Sequence, residues 1–165
     1  MFLGKLISKW IIPQGFHPFL RKVTRLKAQK DINVFINPIQ LRHIRRYYFA
    51  SGFINGGRVL DAACGCGYGG DLLGAYEKYI GIDYADYAIK YAKENYNKNS
   101  RSHIEADIYT LTDKFEENYF DAIVSFETLE HIEYPERALQ NFISMIKPNA
   151  NIIMSIPLKH PDLTY

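Results

Sequence analysis

The amino-acid sequence predicts an α/β fold, in which helices precede and flank a doubly wound, mostly parallel sheet. From Arg58 onward, short apolar runs alternate with stretches of helical periodicity, as expected for parallel strands joined by crossover helices. The chain has 165 residues, of which 47% are apolar and 23% charged, a composition typical of one globular domain. No uncharged apolar run reaches the roughly 18 residues that a membrane span requires.

Charge is distributed unevenly along the chain. Residues 1–58 contain 11 Lys or Arg against a single acid, for a net charge of +10, whereas residues 59–165 contain 9 Lys or Arg against 17 acids, for a net charge of −8. A basic arm on an acidic body indicates an anionic partner, such as a membrane surface or a phosphorylated substrate, or packing of the arm on the body itself. Nucleic acid is not an expected partner.

Residues 1–36 are predicted to form that arm, as basic amphipathic helices, and residues 37–165 to form the core. The apolar stripe of the first helix has helical spacing and consists of Phe2, Leu3, Leu6, Ile7, Trp10 and Ile11. This helix is predicted to lie either on a membrane surface or against the protein's own sheet. A second basic helix is predicted over residues 20–30.

Two features favour a cytoplasmic location, with the arm allowing peripheral membrane contact. Lys5 and Lys9 interrupt the first apolar stretch too early for a secretory signal. One residue separates Cys64 from Cys66, so a disulfide between them could not link distant segments of the fold. The two cysteines also lack the spacing of a structural zinc site. A reducing compartment is therefore the simpler interpretation.

The core elements follow in order. A helix is predicted with Asn37 as its cap and Pro38 in its first turn, ending near Ala50. Apolar runs predict five strands, at residues 58–62, 79–83, 103–107, 120–125 and 151–156. Amphipathic stretches predict three further helices, at residues 68–76, 86–96 and 135–145.

Acidic residues and glycines follow the ends of the predicted strands, where ligands bind in open α/β sheets. The first strand ends in Asp61 and Ala62, and a turn follows in which Gly65 and Gly67 allow close approach of the backbone to a ligand. Asp83, the last residue of the second strand, can accept hydrogen bonds from both hydroxyls of a ribose. Asp107, the last residue of the predicted third strand, can accept one from an exocyclic amine, or else cap a turn.

The glycines also leave a nicotinamide-binding domain as an alternative, because Gly65, Gly67 and Gly70 satisfy G-x-G-x-x-G. Asp61 argues against it. A carboxylate four residues before the glycine turn would repel a pyrophosphate in a poorly screened site. The same carboxylate would favour a ligand that carries a free ammonium.

Taken together, these segments resemble the class I S-adenosylmethionine-dependent methyltransferases. The matching segments are residues 59–69, 81–83, 106–108, 120–131 and 147–148, and the resemblance covers about residues 40–160. It implies a Rossmann-like sheet of order 3-2-1-4-5, here without strands 6 and 7, and S-adenosyl-L-methionine as the cofactor. One mild departure is Asn149-Ala150, which replaces the usual Gly-Gly; Asn tolerates the left-handed backbone of a turn.

The resemblance also implies a role for each matching residue. Asp61 would lie near the ammonium of the cofactor and Asp83 would bind the ribose. Arg46 would reach the methionine carboxylate, unless it lies on a solvated helix face. The implied cofactor contacts, from the methionine end to the adenine, are Arg46, Asp61, Ala62, Gly65, Gly67, Phe126, Asp83, Tyr84, Asp107 and Ile108.

Glu127, Glu130 and His131 form an E-x-x-E-H motif. If a helix begins here, the three side chains lie on one face and could hold a divalent metal, with His160 as a fourth ligand. The resemblance to small-RNA 2′-O-methyltransferases and to quinone O-methyltransferases with this motif implies such a metal. Without metal, His131, with Glu130, is the candidate general base for a hydroxyl substrate. The alternative is that Glu130 and His131 support the loop beneath the cofactor.

The resemblance thus implies methyl transfer to a hydroxyl or amine of a small acceptor, or of one linked to a lipid or sugar. The alternatives are a cofactor-binding module without turnover and an NAD-binding domain. Without strands 6 and 7, the fifth strand would form an apolar edge, which proteins usually cover. The N-terminal helices or a second copy in a homo-oligomer would cover it, or else the chain is a shortened one of reduced activity.

Overall fold

A computed structural model of the protein describes residues 38–156. The predicted arm, residues 1–36, lies outside the described residues, and so does His160, the predicted fourth metal ligand. Within the described part, no helix combines the length and the apolar character that crossing a bilayer would require.

Helices and strands alternate along this part of the chain. The α-helices are α1 (Pro38–Ser51), α2 (Asp86–Tyr96) and α3 (Pro135–Met145). The strands are β1 (Arg58–Ala62), β2 (Lys78–Asp83), β3 (Arg101–Glu105), β4 (Phe120–Phe126) and β5 (Ile146–Ser155). Short 3₁₀ helices follow three of the strands, at Tyr68–Asp71, Ile108–Asp113 and Leu129–His131.

The five strands form one parallel sheet in the order β3-β2-β1-β4-β5. This confirms the predicted fold class and strand order. The chain moves outward from β1 through β2 to β3 and then returns to place β4 on the other side of β1. The strand order therefore reverses between β1 and β4, which is where open α/β sheets bind their ligands, beyond the carboxyl ends.

Apolar side chains on both faces of the sheet form the core. Successive strand residues point to opposite faces, so Val59 and Leu60 of β1 are both fully buried but belong to different clusters. The Leu60 cluster includes residues of α3, and the Val59 cluster includes residues of α1. In α1, Ile44, Tyr47 and Ala50 recur at helical spacing and are buried, so this face of α1 packs against the protein.

The prediction of a helix over residues 68–76 is wrong, because only the 3₁₀ helix Tyr68–Asp71 forms there. Gly69 and Gly70 each disfavour an α-helix by about 1 kcal/mol relative to alanine. The Gly70 carbonyl accepts hydrogen bonds from the Tyr76 hydroxyl at 2.7 Å and from Arg101 Nη2 at 2.6 Å. Side chains therefore occupy an acceptor that a continuing helix would use.

Two strands differ in extent from the prediction. β3 ends at Glu105, two residues earlier than predicted, so Asp107 lies in the connection that follows it. β5 begins at Ile146 and contains Asn149, whose φ of +64° confirms the expected left-handed backbone. Among residues 38–156, β5 pairs with β4 alone. The sheet edge at β5 thus has no strand partner in the described part of the chain.

Candidate active site

A cavity of about 640 Å³ lies at the carboxyl ends of the strands. Its volume falls within the roughly 300–1,000 Å³ typical of small-molecule sites. Residues at or after the ends of β1, β2, β3 and β4 line it, together with α1. The lining consists of His43, Tyr47, Ala63, Cys64, Gly65, Tyr68, Ile82, Asp83, Tyr84, Ala106, Asp107, Ile108, Tyr109, Phe126, Glu127, Thr128, His131 and Ile132.

Asp83 lies at the end of β2 with its carboxylate fixed by backbone groups. Asp83 Oδ2 accepts a hydrogen bond from the Gly65 N–H at 2.8 Å, and Oδ1 accepts one from the Ala85 N–H at 3.0 Å. Gly65 has a φ of +53°, and a Cβ built on it would meet no atom within 4 Å. The glycine turn thus borders open space beside a preset carboxylate, an arrangement that fits the ribose of an adenosyl cofactor.

The wall after β2 and β3 combines apolar and polar groups suited to an adenine ring. The Tyr84 side chain is 83% exposed and borders the cavity, whereas Ile108 is buried. Asp107 lines the cavity too, and its Oδ1 also accepts a hydrogen bond from the Tyr109 N–H at 2.9 Å. The capping role considered for Asp107 and a position at the cavity are therefore both present.

Asp61 is fully buried and does not line the cavity. Its Oδ2 accepts hydrogen bonds from the Tyr79 hydroxyl at 2.6 Å and from the Tyr47 hydroxyl at 3.0 Å. Burial raises the pKa of Asp61 to about 7, although the two tyrosine hydrogen bonds oppose the shift. The contact of Asp61 with the ammonium of the cofactor stays a prediction, because Tyr47 lines the cavity and Asp61 does not.

Only one of the three motif glycines lines the cavity. A Cβ on Gly67, whose φ is +82°, would lie 2.6 Å from both Ala92 Cβ and His103 Nε2. A Cβ on Gly70 would lie 2.7 Å from Arg101 Nε. Gly67 and Gly70 therefore allow close packing, and Gly65 alone borders the cavity. Ala62 is buried at the end of β1 and is not part of the lining either.

Arg46 forms an ion pair with Glu127, with 2.8 Å between Arg46 Nη2 and Glu127 Oε1. The same Glu127 oxygen accepts a hydrogen bond from Ser155 Oγ at 3.1 Å. Glu127 thus connects α1 with the ends of β4 and β5. Arg46 is not part of the cavity lining, so its contact with a methionine carboxylate stays a prediction.

The expectation that Glu127, Glu130 and His131 share one helical face is wrong. The helix here is a three-residue 3₁₀ turn that begins at Leu129, and Glu127 precedes it with a left-handed φ of +54°. Glu127 and His131 line the cavity, whereas both carboxylate oxygens of Glu130 are buried without a hydrogen-bond partner. Within residues 38–156, no three His, Cys, Asp or Glu side chains are grouped to hold a metal ion.

The sequence reasoning missed several side chains of the cavity wall, among them His43, Tyr68 and Tyr109. A signal for His43 is present in the sequence, because it lies four residues before Tyr47 on the same helix face. Phe126, which was predicted, does line the cavity, and its ring meets the edge of Tyr47 with 5.0 Å between centroids.

A larger cavity, of about 740 Å³, lies near the opposite ends of the strands. Arg58, Lys78, Asp121 and Lys147 are among its lining residues. Lys147 Nζ is already paired with Asp121 Oδ1 at 2.7 Å. The amino ends of parallel strands are not where such sheets bind ligands, so we assign the active site to the smaller cavity.

Comparison with known proteins identifies the class. A family model described as "Methyltransferase domain" matches residues 60–154, more than half of the chain. The chain belongs to this family, and its fold is that of the class I S-adenosylmethionine-dependent methyltransferases. The NAD-binding alternative is thereby overturned, and the G-x-G-x-x-G match is part of a methyltransferase motif.

Individual relatives match only part of their own length. The chain is 31% identical over 124 residues to the ubiquinone biosynthesis O-methyltransferase of Coxiella burnetii, covering 73% of this chain and 50% of that protein. It is 34% identical over 110 residues to phosphoethanolamine N-methyltransferase 1 of Triticum aestivum, covering 64% of this chain and 22% of that protein. The chain thus spans about half the length of the O-methyltransferase and 22% of the length of the N-methyltransferase.

Solved structures share the fold. A protein of Pyrococcus horikoshii OT3 superposes with a TM-score of 0.60 at 27% identity, covering 72% of this chain and 55% of that one. The arsenic(III) S-adenosylmethionine methyltransferase of Chlamydomonas reinhardtii superposes with a TM-score of 0.50 at 22% identity, covering 58% of this chain and 36% of that one. The second likeness shows the fold alone.

Proposed function

We propose that the cavity binds S-adenosylmethionine and that the protein transfers its methyl group to a hydroxyl of a small acceptor. The observation that carries this proposal is the preset Asp83 carboxylate, which borders the cavity between the Gly65 turn and Tyr84. Family membership supports the cofactor, and the position of Asp83 supports the orientation of the adenosyl group.

When bound, the cofactor supplies an electrophilic methyl group on a sulfonium. The protein's own contribution is then to align the acceptor with that methyl group and to exclude water. Asp83, Tyr84, Asp107 and Ile108 would hold the adenosyl end over β2 and β3. The acceptor would approach along the wall formed by α1 and the end of β4, where Phe126 would also contact the cofactor.

The relatives support two acceptor chemistries, a hydroxyl from the O-methyltransferases and an amine from the phosphoethanolamine N-methyltransferase. The two imidazoles that line the cavity, those of His43 and His131, favour the hydroxyl, because a weakly acidic hydroxyl needs a base during attack whereas an unprotonated amine does not. An acceptor linked to a lipid or sugar remains part of the proposal, since the basic arm of residues 1–36 would suit an anionic surface.

The experiment is an assay of S-adenosylhomocysteine formation with a panel of acceptors. The panel contains small aromatic and aliphatic hydroxyl compounds, among them catechol and glycerol, together with phosphoethanolamine. We expect product with a hydroxyl compound. Product with phosphoethanolamine alone would overturn the hydroxyl proposal. Tight S-adenosylhomocysteine binding without turnover of any acceptor would favour the alternative of a cofactor-binding module.

We propose further that the protein acts in the cytoplasm and that a second copy covers the β5 edge. The pairing of β5 with β4 alone, within residues 38–156, supports the second copy. An unpaired strand edge exposes backbone donors and acceptors that a neighbouring strand can satisfy.

A further inference from the structure

His43 lies on the face of α1 that borders the cavity. His43 precedes Tyr47 by four residues, so the two side chains lie on the same side of the helix. Both line the cavity, and Ile44 and Tyr47 are buried, which fixes this face of α1 toward the protein. The imidazole is therefore part of the wall, half-buried, with its helix held against the sheet.

The strand order separates this wall from the adenosyl side. Asp83 and Asp107 follow β2 and β3, on one side of β1, whereas Glu127 follows β4 on the other side. An adenosyl group held by Asp83 and Asp107 leaves the β4 side of the cavity for the methyl group and the acceptor. His43 shares that side of the cavity with Glu127, whose charge acts on the His43 imidazole.

The charges around His43 favour its neutral form. Burial and the Arg46 charge lower the pKa of His43 below its ordinary value of 6.5, the Glu127 charge opposes the shift, and Arg42 adds to it. Tyr47, Cys64, Tyr68 and His131 are further titratable groups of the cavity lining. A neutral imidazole presents a nitrogen lone pair to the cavity at neutral pH.

The negative charge of Glu127 would stabilise His43 when the imidazole takes up a proton. Glu127 is held by Arg46 at 2.8 Å and by Ser155 at 3.1 Å, so its position is fixed from both α1 and β5. Its attraction for a charged His43 opposes the lowering of the imidazole pKa without reversing it. Glu127 therefore supplies a fixed negative charge that would stabilise a protonated His43 during general-base catalysis.

We propose that His43 is a catalytic residue, the general base that accepts the proton of the acceptor hydroxyl. The inference rests on the proposed function. The hydroxyl oxygen forms a bond to the methyl carbon, the carbon–sulfur bond breaks, and its electron pair stays on sulfur. The proton of the hydroxyl passes to a His43 nitrogen and is later released to water, so atoms and charge balance.

The test compares His43→Gln with Arg45→Gln, a matched change at an exposed position of the same helix. Glutamine keeps a polar side chain of similar length but cannot take up the proton. With the hydroxyl compound that wild type methylates, we expect kcat to fall roughly 100- to 10,000-fold in His43→Gln. Arg45→Gln keeps the wild-type kcat. In His43→Gln, affinity for S-adenosylhomocysteine, measured by calorimetry, falls far less than kcat, because the Asp83 and Asp107 contacts with the adenosyl group are unchanged; in Arg45→Gln it stays at the wild-type value.

Two readouts separate a base from a structural residue. In wild type, kcat falls as the pH drops through the pKa of His43, below 6.5, and His43→Gln lacks this limb. In the S-adenosylhomocysteine complex of wild type, the imidazole resonances of His43 titrate below 6.5 by NMR. Titration at or above 6.5, or a His43→Gln variant that keeps both its rate and the limb, would overturn the proposal.

A third variant, His131→Gln, distinguishes the two imidazoles of the cavity. We expect it to retain the limb below pH 6.5, and loss of the limb in this variant instead of His43→Gln would assign the base to His131 and overturn the proposal. Failure of the proposed function has a different signature. Wild type would then form no S-adenosylhomocysteine with any acceptor, before any variant is compared, and the His43 proposal would fall with it.

Discussion

At the end of β2, the Asp83 carboxylate accepts two backbone hydrogen bonds and still borders the cavity. Hydrogen bonds to a charged group contribute about 1.5–3 kcal/mol each. We expect Asp83→Ala to weaken S-adenosylhomocysteine binding by roughly 10- to 100-fold in isothermal titration, since 1.4 kcal/mol corresponds to a factor of ten. Asp113→Ala, an exposed aspartate outside the cavity, is the control. Unchanged affinity in Asp83→Ala would place the ribose elsewhere.

The raised pKa of the buried Asp61 carboxyl should make the stability of the protein depend on pH. This pKa is about 7 in the folded protein and near 3.8 in the unfolded chain, so between these values the folded state holds a proton that the unfolded state has lost. Stability from this group is therefore present below about pH 4 and is lost as the pH rises toward 7. We expect the free energy of unfolding to fall from pH 5 to pH 7.5, and to fall less in Asp61→Asn.

Urea denaturation at the two pH values measures this difference, with Asp113→Asn as the control that keeps the wild-type dependence. Equal pH dependence in wild type and Asp61→Asn would show that Asp61 is ionised in the folded protein at pH 5. The Tyr47 and Tyr79 hydroxyls would then stabilise the carboxylate more strongly than burial disfavours it.

In the turn after β1, Gly67 is closely packed whereas Gly65 borders the cavity. Gly65 and Gly67 both have positive φ, so alanine at either position costs about 1–2 kcal/mol for the backbone alone. At Gly67 the added Cβ also meets Ala92 and His103 at 2.6 Å, whereas at Gly65 it meets nothing within 4 Å. We expect Gly67→Ala to lose clearly more stability than Gly65→Ala in urea denaturation.

For S-adenosylhomocysteine binding we expect the reverse order of the two variants. Gly65 lines the cavity and its N–H donates to Asp83, so Gly65→Ala should weaken S-adenosylhomocysteine binding more than Gly67→Ala does, measured where both variants are folded. Equal loss of stability in the two variants would contradict the close packing described for Gly67.

The elements that the sequence predicted well are those defined by burial. Apolar runs located all five strands, and the limits of α2 and α3 were predicted as observed, because amphipathic periodicity directly reflects which side is buried. The failures lie where side chains of distant residues act on the backbone. Residues 68–76 lack a long helix partly because Arg101, far along the chain, binds the Gly70 carbonyl.

The site shows the same division. The turn glycine Gly65 and Asp83 at the cavity follow from strand ends and motif spacing. The separation of Glu130 from Glu127 and His131 does not, because a left-handed φ at a glutamate has no signature in residue type. The separation of Asp61 from the cavity by Tyr47 does not follow from the motif either, because it depends on how α1 packs against β1.

For the molecule as a whole, the proposed second copy at the β5 edge makes a prediction about mass. If two copies pair through this edge, light scattering should give twice the 19.1 kDa of one chain. A mass of one chain for the wild-type protein would contradict the pairing.

We expect the cavity at the carboxyl ends of the strands to bind an adenosyl cofactor with a sulfur-linked amino acid. Isothermal titration of the full chain with S-adenosylhomocysteine, and separately with NADH, tests it most directly. The structure predicts one S-adenosylhomocysteine bound per chain, with affinity reduced in Asp83→Ala, and no heat of binding with NADH. Saturable binding of NADH, with none of S-adenosylhomocysteine, would contradict the account.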